Sequence, residues 1–336
     1  MLGLDIGTYS IKAVRLKKEG DSYQVLAVSR YERPQKEPLQ ASLKNFFEKA
    51  RLDQHTLINI PSSPQEVAVG VSGNAVVARL VEMPAMSDEE LKNAMRFEAE
   101  KNTPFPMEGA VLDYQIVTRD AGTKKTRVLF AAAKRESATL YIEQLKELGC
   151  IVKCIDVDSI AVTNAFAAAV APKNGGGCAL INIGDAFTNM SIVSEGVAFL
   201  LRDIGISGKD LAEDIAKGMG VSRDEAYQLK HSFPADKQAA LLDAVRPTMD
   251  KLAREARLSV GYFENQFAKG VEVIYISGGS ARLFGLKDFL SKALNVSVEA
   301  WNPLSCAKAP SAALPAAADE SGVDLAVAVG LALRDD

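Results

Sequence analysis

Residues 1–10, MLGLDIGTYS, and their counterpart at 179–189, ALINIGDAFTN, decide how this chain is read. Each opens as a short apolar run suited to a buried strand. Each then reaches an acid or amide, an aliphatic residue and a glycine: Asp5-Ile6-Gly7 in one, Asn182-Ile183-Gly184 in the other. Small and hydroxyl-bearing residues follow. A second strand comes next (11–16; 190–194), then a turn marked by Gly20 or Gly196, then a third strand (23–31; 198–203). The same strand–turn–strand plan is written twice, half a chain apart, which points to two similar domains facing each other. Glycine has no Cβ, so backbone N–H groups in both turns could approach an anion closely. Two such turns face to face make a phosphate clamp. Asp5 would hold Mg²⁺ through its waters, the hydroxyls of Thr8 and Ser10 would take phosphate oxygens, and Lys12 would neutralise them. A lone Asp-Ile-Gly reads as a strand ending in a tight turn; two copies in matching contexts outweigh that reading.

Composition narrows the classes. The 336 residues are 48% hydrophobic and 24% charged, ordinary for a globular chain of about two domains. A net charge of −4 gives no electrostatic case for nucleic-acid binding. The chain opens on a strand pattern without the basic and apolar regions of a signal peptide, and its apolar run at 325–333 is too short to span a bilayer. Cys150, Cys154, Cys178 and Cys306 lack zinc spacing and read as reduced, buried and structural. A cytoplasmic protein is expected.

Between the two motifs the pattern predicts an amphipathic helix at 39–50, a strand at 56–60, and a hairpin of 65–71 and 75–81 around Ser72-Gly73-Asn74. Ser87 and Glu90 form a capping box that opens a helix over 88–101, which the prolines of Thr103-Pro104-Phe105-Pro106 end. Strands at 111–118 and 126–133, a helix at 137–148 closed by Gly149, and a strand at 151–155 complete an inserted block. Phe105, held between two prolines, either caps the core of this block or stands exposed as an anchor for a partner. An Ala-rich helix at 158–169 has side chains small enough to pass close to another helix, and 173–177 reads as a flexible join.

The second half continues with helices at 209–217, 223–230 and 248–269, with a break expected at Pro247. A strand at 272–277 runs into Gly278-Gly279-Ser280-Ala281, glycines that suit close approach of a flat or anionic ligand. A helix at 284–294, an edge strand at 296–300, a loop at 309–321 and a small-residue helix at 324–333 finish the chain. That last helix would cross the domain interface if it mirrors 158–169.

These residues together resemble the actin-like ATPase superfamily, which includes Hsp70, actin, FtsA and sugar kinases. Asp5-Ile6-Gly7-Thr8-Tyr9-Ser10 matches its first phosphate motif, 182–185 its second, 274–281 its adenosine motif, and the two Ala-rich helices its connecting helices. Arg96-Phe97-Glu98-Ala99-Glu100, Thr103-Pro104-Phe105-Pro106, Leu112-Asp113-Tyr114 and 330–334 are similar to the PilM family of type IV pilus assembly. The resemblance implies an α/β actin-like fold of two duplicated domains around a nucleotide cleft. Subdomain 1A would comprise 1–83 and 157–173, the inserted 1C 84–156, 2A 174–204 with 271–336, and the helical 2B 205–270.

It also implies ATP with Mg²⁺. Asp5, Gly7, Thr8, Tyr9, Ser10 and Lys12 would hold phosphate from one side and Gly184, Asp185 and Ala186 from the other. Gly208 and Lys230 would approach the nucleoside, Gly278, Gly279 and Ser280 would cradle adenosine, and Asp5 and Asn182 would hold the metal through water. The implied partner is the cytoplasmic N-terminal tail of PilN, docked beside the insertion, with links to pilus motor ATPases and a platform protein, and so to the inner membrane.

Two departures argue for weak hydrolysis or none. The superfamily has Asp where this chain has Asn182, and Ala-Glu where it has Ala226-Tyr227; an amide neither accepts a proton nor offers a metal negative charge. Asp158 then remains to position a water, or else to cap its helix. The competing readings are an active ATPase or kinase, against which no second acid cluster for an acceptor is visible, and an FtsA-like division protein, which would carry an amphipathic membrane anchor.

Overall fold

The computed structural model describes residues 1–20, 22–34, 36–52, 65–120, 122–170, 176–308 and 322–334. The strand expected at 56–60, the loop at 309–321 and most of the join at 173–177 lie outside those residues. The first half contains β1 (Leu2–Ile6), β2 (Ser10–Glu19), β3 (Ser22–Glu32), α1 (Leu39–Leu52), β4 (Gln65–Val71), β5 (Val76–Pro84), α2 (Asp88–Asn102), β6 (Ala110–Asp120), β7 (Lys125–Lys134), α3 (Arg135–Glu147), β8 (Cys150–Val157) and α4 (Asp158–Ala169). The second contains β9 (Gly177–Ile183), β10 (Thr188–Ser194), β11 (Val197–Ile204), α5 (Gly208–Met219), α6 (Arg223–Ser232), α7 (Gln238–Phe267), β12 (Val271–Ser277), α8 (Leu286–Leu294), β13 (Ser297–Ala300), β14 (Ala307–Lys308) and α9 (Ala326–Ala332).

The duplication is explicit in strand order. One sheet runs β3-β2-β1-β4-β8, and the other runs β11-β10-β9-β12-β13. In both, an antiparallel meander is followed by two parallel strands. The parallel strands need crossover connections, supplied by α3 before β8 and α8 before β13.

The hairpin expected around Ser72-Gly73-Asn74 does not form. Both edges of β4 are taken, by β1 and by β8, so β5 has no place beside it. Gly73, at φ +74°, diverts the chain into a separate three-stranded sheet of order β5-β7-β6. The strand expected at 151–155 within the inserted block is β8, which pairs with β4 in the first main sheet. The inserted sheet therefore interrupts the crossover between β4 and β8. Its strands span Val76–Lys134, a division that differs from the expected 84–156.

One face of the inserted sheet packs under α2, whose start carries the expected Ser87–Glu90 capping box. Phe105 belongs to this core with Met95, Met107 and Phe130, is 9% exposed, and has the Lys134 ammonium 5.9 Å from its ring. Of the two readings of Phe105, the structure has it as a cap of the core. The side chain of α2 that stands out is Phe97, at 68% exposure. The other face of the inserted sheet packs on Leu201 of β11 as well as on Val71 and Val157, so the insertion touches both halves.

Pro247 does not break α7, which runs unbroken over 30 residues. Proline removes its own N–H and crowds the preceding turn. Here the next N–H, of Thr248, is accepted by the Asp214 carboxylate of α5 at 3.2 Å, and a buried stripe from Leu241 through Met249 to Phe263 holds both arms on one core. Asp214→Ala leaves that N–H without its acceptor and is expected to cost about 1–3 kcal/mol. Urea unfolding checks this; an unchanged midpoint would show that the stripe alone carries the helix through the proline.

Between the two sheets lie α4 and α9. Every residue of α9 is buried. A Cβ on Gly330 would stand 1.8 Å from the Ala161 carbonyl oxygen of α4, and one on Gly3 of β1 would stand 2.1 Å from the Ala328 carbonyl oxygen of α9. The two helices and the first strand thus touch backbone to backbone, which only glycine permits. In addition, β14 pairs with β3, so late chain completes the early sheet.

Candidate functional site

The two glycine turns face each other across a cleft of about 510 Å³. Their construction is identical. Gly7 N–H donates to the Ser10 carbonyl at 3.1 Å, and Gly184 N–H donates to the Phe187 carbonyl at 3.0 Å. A Cβ on either glycine would meet that carbonyl at 2.8 Å. The turns are bridged directly: Thr8 Oγ1 donates to Asp185 Oδ2 at 3.0 Å. The other oxygen of Asp185 accepts from the Tyr227 hydroxyl at 2.8 Å, and Tyr227 stacks on Tyr9 with ring centroids 5.2 Å apart. Burial and the negative partners Glu32 and Asp185 push the Tyr9 hydroxyl up to about 12; burial and Asp185 do the same to Tyr227. Both therefore remain hydrogen-bond donors throughout the physiological range.

Asp5 ends β1 under the first turn, with Lys12 of the paired β2 at 2.8 Å. Burial works against the Lys12 ammonium, but Asp5 and then Asp324 outweigh it and hold its pKa above the ordinary value. The helical side of the cleft converges on Gly208. Its N–H donates to the Gly184 carbonyl, its own carbonyl accepts from Lys230 Nζ at 3.1 Å, and a Cβ there would meet Ser280 Oγ at 2.4 Å. Burial lowers Lys230 to about 8, and its ammonium lies 4.5 Å from the centroid of the Tyr227 ring. Gly278, at φ +90°, packs its backbone on Ile183, where a Cβ would fall 2.5 Å from a carbonyl oxygen. Gly279, Ser280 and Ala186 line the same cleft.

Asp158 begins α4 without capping it. Its carboxyl hydrogen-bonds Ser72 and crowds Gly70, inside the cleft. Burial and then the neighbouring Asp5 charge push it up to about 8. The unfolded carboxyl titrates near 4. The folded form therefore holds the extra proton between about pH 4 and 8, and this group's contribution to stability is lost as pH rises through that window. Asp158→Asn, which mimics the protonated form, is expected to flatten the decline of the melting temperature toward pH 8 in nucleotide-free protein. Parallel slopes for the two proteins in thermal melts at pH 6 and 8.5 would overturn that assignment.

Several cleft residues were not singled out from sequence. Arg30 of β3 and Arg282 both donate to Asp324 Oδ1, at 2.7 and 3.1 Å. Burial raises the Asp324 carboxyl, but Lys12, Arg30 and Arg282 outweigh it and hold it below the usual range. Asp324 precedes α9 as Asp158 heads α4, so the internal repeat was a signal for it. His231, next to Lys230, lines the cleft and is held near 4 by burial and by the Lys230 and Arg282 charges. Glu32, Ser72, Asn189 and Tyr141 also line it, and no local sequence signal placed them in the cleft.

Asn182, expected to face a hydrated metal, has both ends of its amide engaged by protein. Oδ1 accepts from Ser277 at 3.1 Å and Nδ2 donates to Asn189 at 2.9 Å. Among the described residues no group of three or more His, Cys, Asp or Glu is arranged to hold a metal ion directly.

Two duplicated sheets hinged on crossing helices, with glycine turns opposed across a cleft, define an actin-like ATPase fold. The match of residues 3–336 to the family model described as type IV pilus assembly protein PilM places the chain in that family. A solved PilM–PilN type IV pilus biogenesis complex is similar over 99% of this chain and 97% of that one, at 27% identity and a TM-score of 0.84. The ethanolamine utilization protein EutJ from Carboxydothermus hydrogenoformans shares the fold at 15% identity, with a TM-score of 0.56 over 99% of this chain and 88% of that one. Cell division protein FtsA of Bacillus subtilis is 24% identical over 256 residues, and that of Staphylococcus epidermidis 25% over 178. These alignments take in 68% and 46% of this chain, and 57% and 38% of the length of those curated relatives. No helix among the described residues is long and apolar enough to cross a membrane.

Proposed function

We propose that the chain is an ATP-binding scaffold of type IV pilus biogenesis, which binds the N-terminal cytoplasmic tail of PilN and links the inner-membrane complex to the pilus motor. The observation that carries the nucleotide reading is the pair of mirrored glycine turns joined by Thr8 and Asp185 over a cleft of ligand size. Glycine at 208 and 278 leaves room there that a Cβ would fill. The residues suit a magnesium triphosphate. Lys12, Arg30, Arg282 and Lys230 supply positive charge around the cleft, and the first and second turns approach phosphate from opposite halves. Asp5 and Asp158 repel each other, so a hydrated divalent cation between phosphate and these carboxyls would relieve both. When bound, the metal would screen phosphate charge.

Hydrolysis is expected to be slow. Asp158 keeps its proton to about 8 without a cation nearby, and Asn182 is held by two amide contacts. PilN as partner is supported by the family and by the extent of the likeness to the PilM–PilN complex. The nucleotide spans both halves and so favours the closed cleft, and the insertion, which touches both halves, would feel that closure. Titration calorimetry with Mg-ATP, followed by a synthetic PilN tail peptide with and without nucleotide, tests both parts. Absence of heat with Mg-ATP would overturn the nucleotide reading; peptide affinity absent in both states would overturn the partner.

A further inference from the structure

Ser277 of β12, Asn182 of β9, Asn189 of β10 and Asp203 of β11 are register partners in one row across four strands of the second sheet. Their side chains are joined end to end. Ser277 Oγ donates to Asn182 Oδ1 at 3.1 Å, Asn182 Nδ2 donates to Asn189 Oδ1 at 2.9 Å, and Asn189 Nδ2 donates to Asp203 Oδ1 at 2.8 Å. The second oxygen of Asp203 accepts from the backbone N–H of Gly73, at 2.5 Å, in the other half of the molecule. Ser277, Asn182 and Asn189 are buried. The row begins beside the Gly278 turn of the adenosine motif and ends on the turn that launches the inserted sheet.

The carboxylate sets the direction of every bond in the row. A carboxylate only accepts, so Asn189 must present its NH₂ to Asp203 and its carbonyl to Asn182. Asn182 must then present its own NH₂ to Asn189 and its carbonyl to the Ser277 hydroxyl. An aspartate at 182 would face the carbonyl of Asn189 with a second acceptor. This accounts for an amide at a position where the resemblance leads one to expect an acid. Bonds aligned in one direction in a buried setting polarise one another, and a single reversed member costs the whole row.

The receiving turn is held tightly. Ser72 hydrogen-bonds the Asp158 carboxyl in the cleft, and a Cβ on Gly73 would meet the Phe187 ring of the second phosphate turn at 2.4 Å. Burial pushes the Asp203 carboxyl up, while the bonds from Asn189 and Gly73 pull it back. Asp203 is not among the residues lining the cleft.

We propose that the Ser277–Asn182–Asn189–Asp203 row and Gly73 couple the nucleotide cleft to the inserted sheet, Asp203 acting as a positioning residue for that sheet. This rests on the cleft binding nucleotide. When the halves close, the second sheet carries its row with it and draws the Gly73 turn, and with it the start of β5, into one fixed position. When they open, the Asp203–Gly73 bond, which like Thr8–Asp185 crosses between halves, must lengthen.

Asp203→Ala tests this, because it removes the acceptor of both the Asn189 amide and the Gly73 N–H, whereas an amide at 203 would be satisfied by turning Asn189 and Asn182 over so that the Ser277 hydroxyl accepts. Amide hydrogen exchange is read at Gly73 and along β5 with and without Mg-AMPPNP, at equal occupancy fixed by calorimetry on each protein. In the unaltered chain nucleotide is expected to slow exchange there by about tenfold. In Asp203→Ala nucleotide affinity is expected to stay within about twofold while that slowing disappears.

The exchanged pair Asn189→Asp with Asp203→Asn rebuilds a satisfied row. Asn182 and the amide at 203 both donate to the acid at 189, and the carbonyl at 203 accepts from Gly73. It is expected to show the slowing, and it serves as the test if Asp203→Ala does not fold. Slowing that survives in folded Asp203→Ala, or is absent in the exchanged pair, overturns the coupling. Calorimetry without heat in the unaltered chain overturns the nucleotide reading instead.

Discussion

Gly330→Leu is expected to leave no folded protein, and Gly330→Ala to lower the unfolding free energy by about 3 kcal/mol or more. The reason lies in which atom is struck. The added Cβ would fall 1.8 Å from the Ala161 carbonyl oxygen and 2.4 Å from its carbonyl carbon, both in the backbone of α4. A side chain could rotate away; a helix backbone can yield only if α4 and α9 separate, and these two helices form the layer between the sheets. Intrinsic helix propensity acts in the opposite direction, favouring alanine over glycine by about 1 kcal/mol. The sign of the measured change therefore decides between the two effects. Urea unfolding monitored by circular dichroism gives it, and an alanine variant more stable than the parent would show that the helices do not touch backbone to backbone.

Asp5→Ala is expected to weaken Mg-ATP binding by at least about a hundredfold, close to 2.8 kcal/mol. Asp5 is 9% exposed at the end of β1 and pairs with Lys12. Two losses combine. The acid under the first glycine turn disappears, and the Lys12 ammonium is left buried beside Asp324 without its nearer counter-charge, which also lowers stability. A second variant separates them. Asp5→Ala with Lys12→Met replaces the buried pair by apolar groups and is expected to recover much of the stability but none of the affinity. Titration calorimetry alongside thermal melts reads both quantities. Recovery of nucleotide affinity in the double variant would mean that Asp5 serves only to neutralise Lys12.

What the sequence revealed follows from where each signal resides. The glycine turns at 7 and 184 were legible because turn chemistry is local, and their shared bond pattern, Gly7 to Ser10 and Gly184 to Phe187, repeats within four residues. The capping box at Ser87 is equally local. Strand partnership is not. Ser72-Gly73-Asn74 has hairpin composition, yet β4 is a central strand with both neighbours supplied from elsewhere, and β5 pairs with β7 some fifty residues on. The break expected at Pro247 failed for the same reason, since the acceptor that relieves it is Asp214, on another helix. Asp324 could have been found by carrying the duplication through to the heads of the two central helices. Asn182 was visible as a departure, but the Ser277 and Asn189 contacts that explain it exist only after the second sheet has assembled.

The contact between Gly3 and α9 also has a bearing on how the molecule is made. The face of β1 that carries Gly3 finds its cover in residues 326–332, and β3 pairs with β14 at Ala307–Lys308. The first half thus cannot complete its packing before those residues have left the ribosome, and that face of its sheet stays available to chaperones until then.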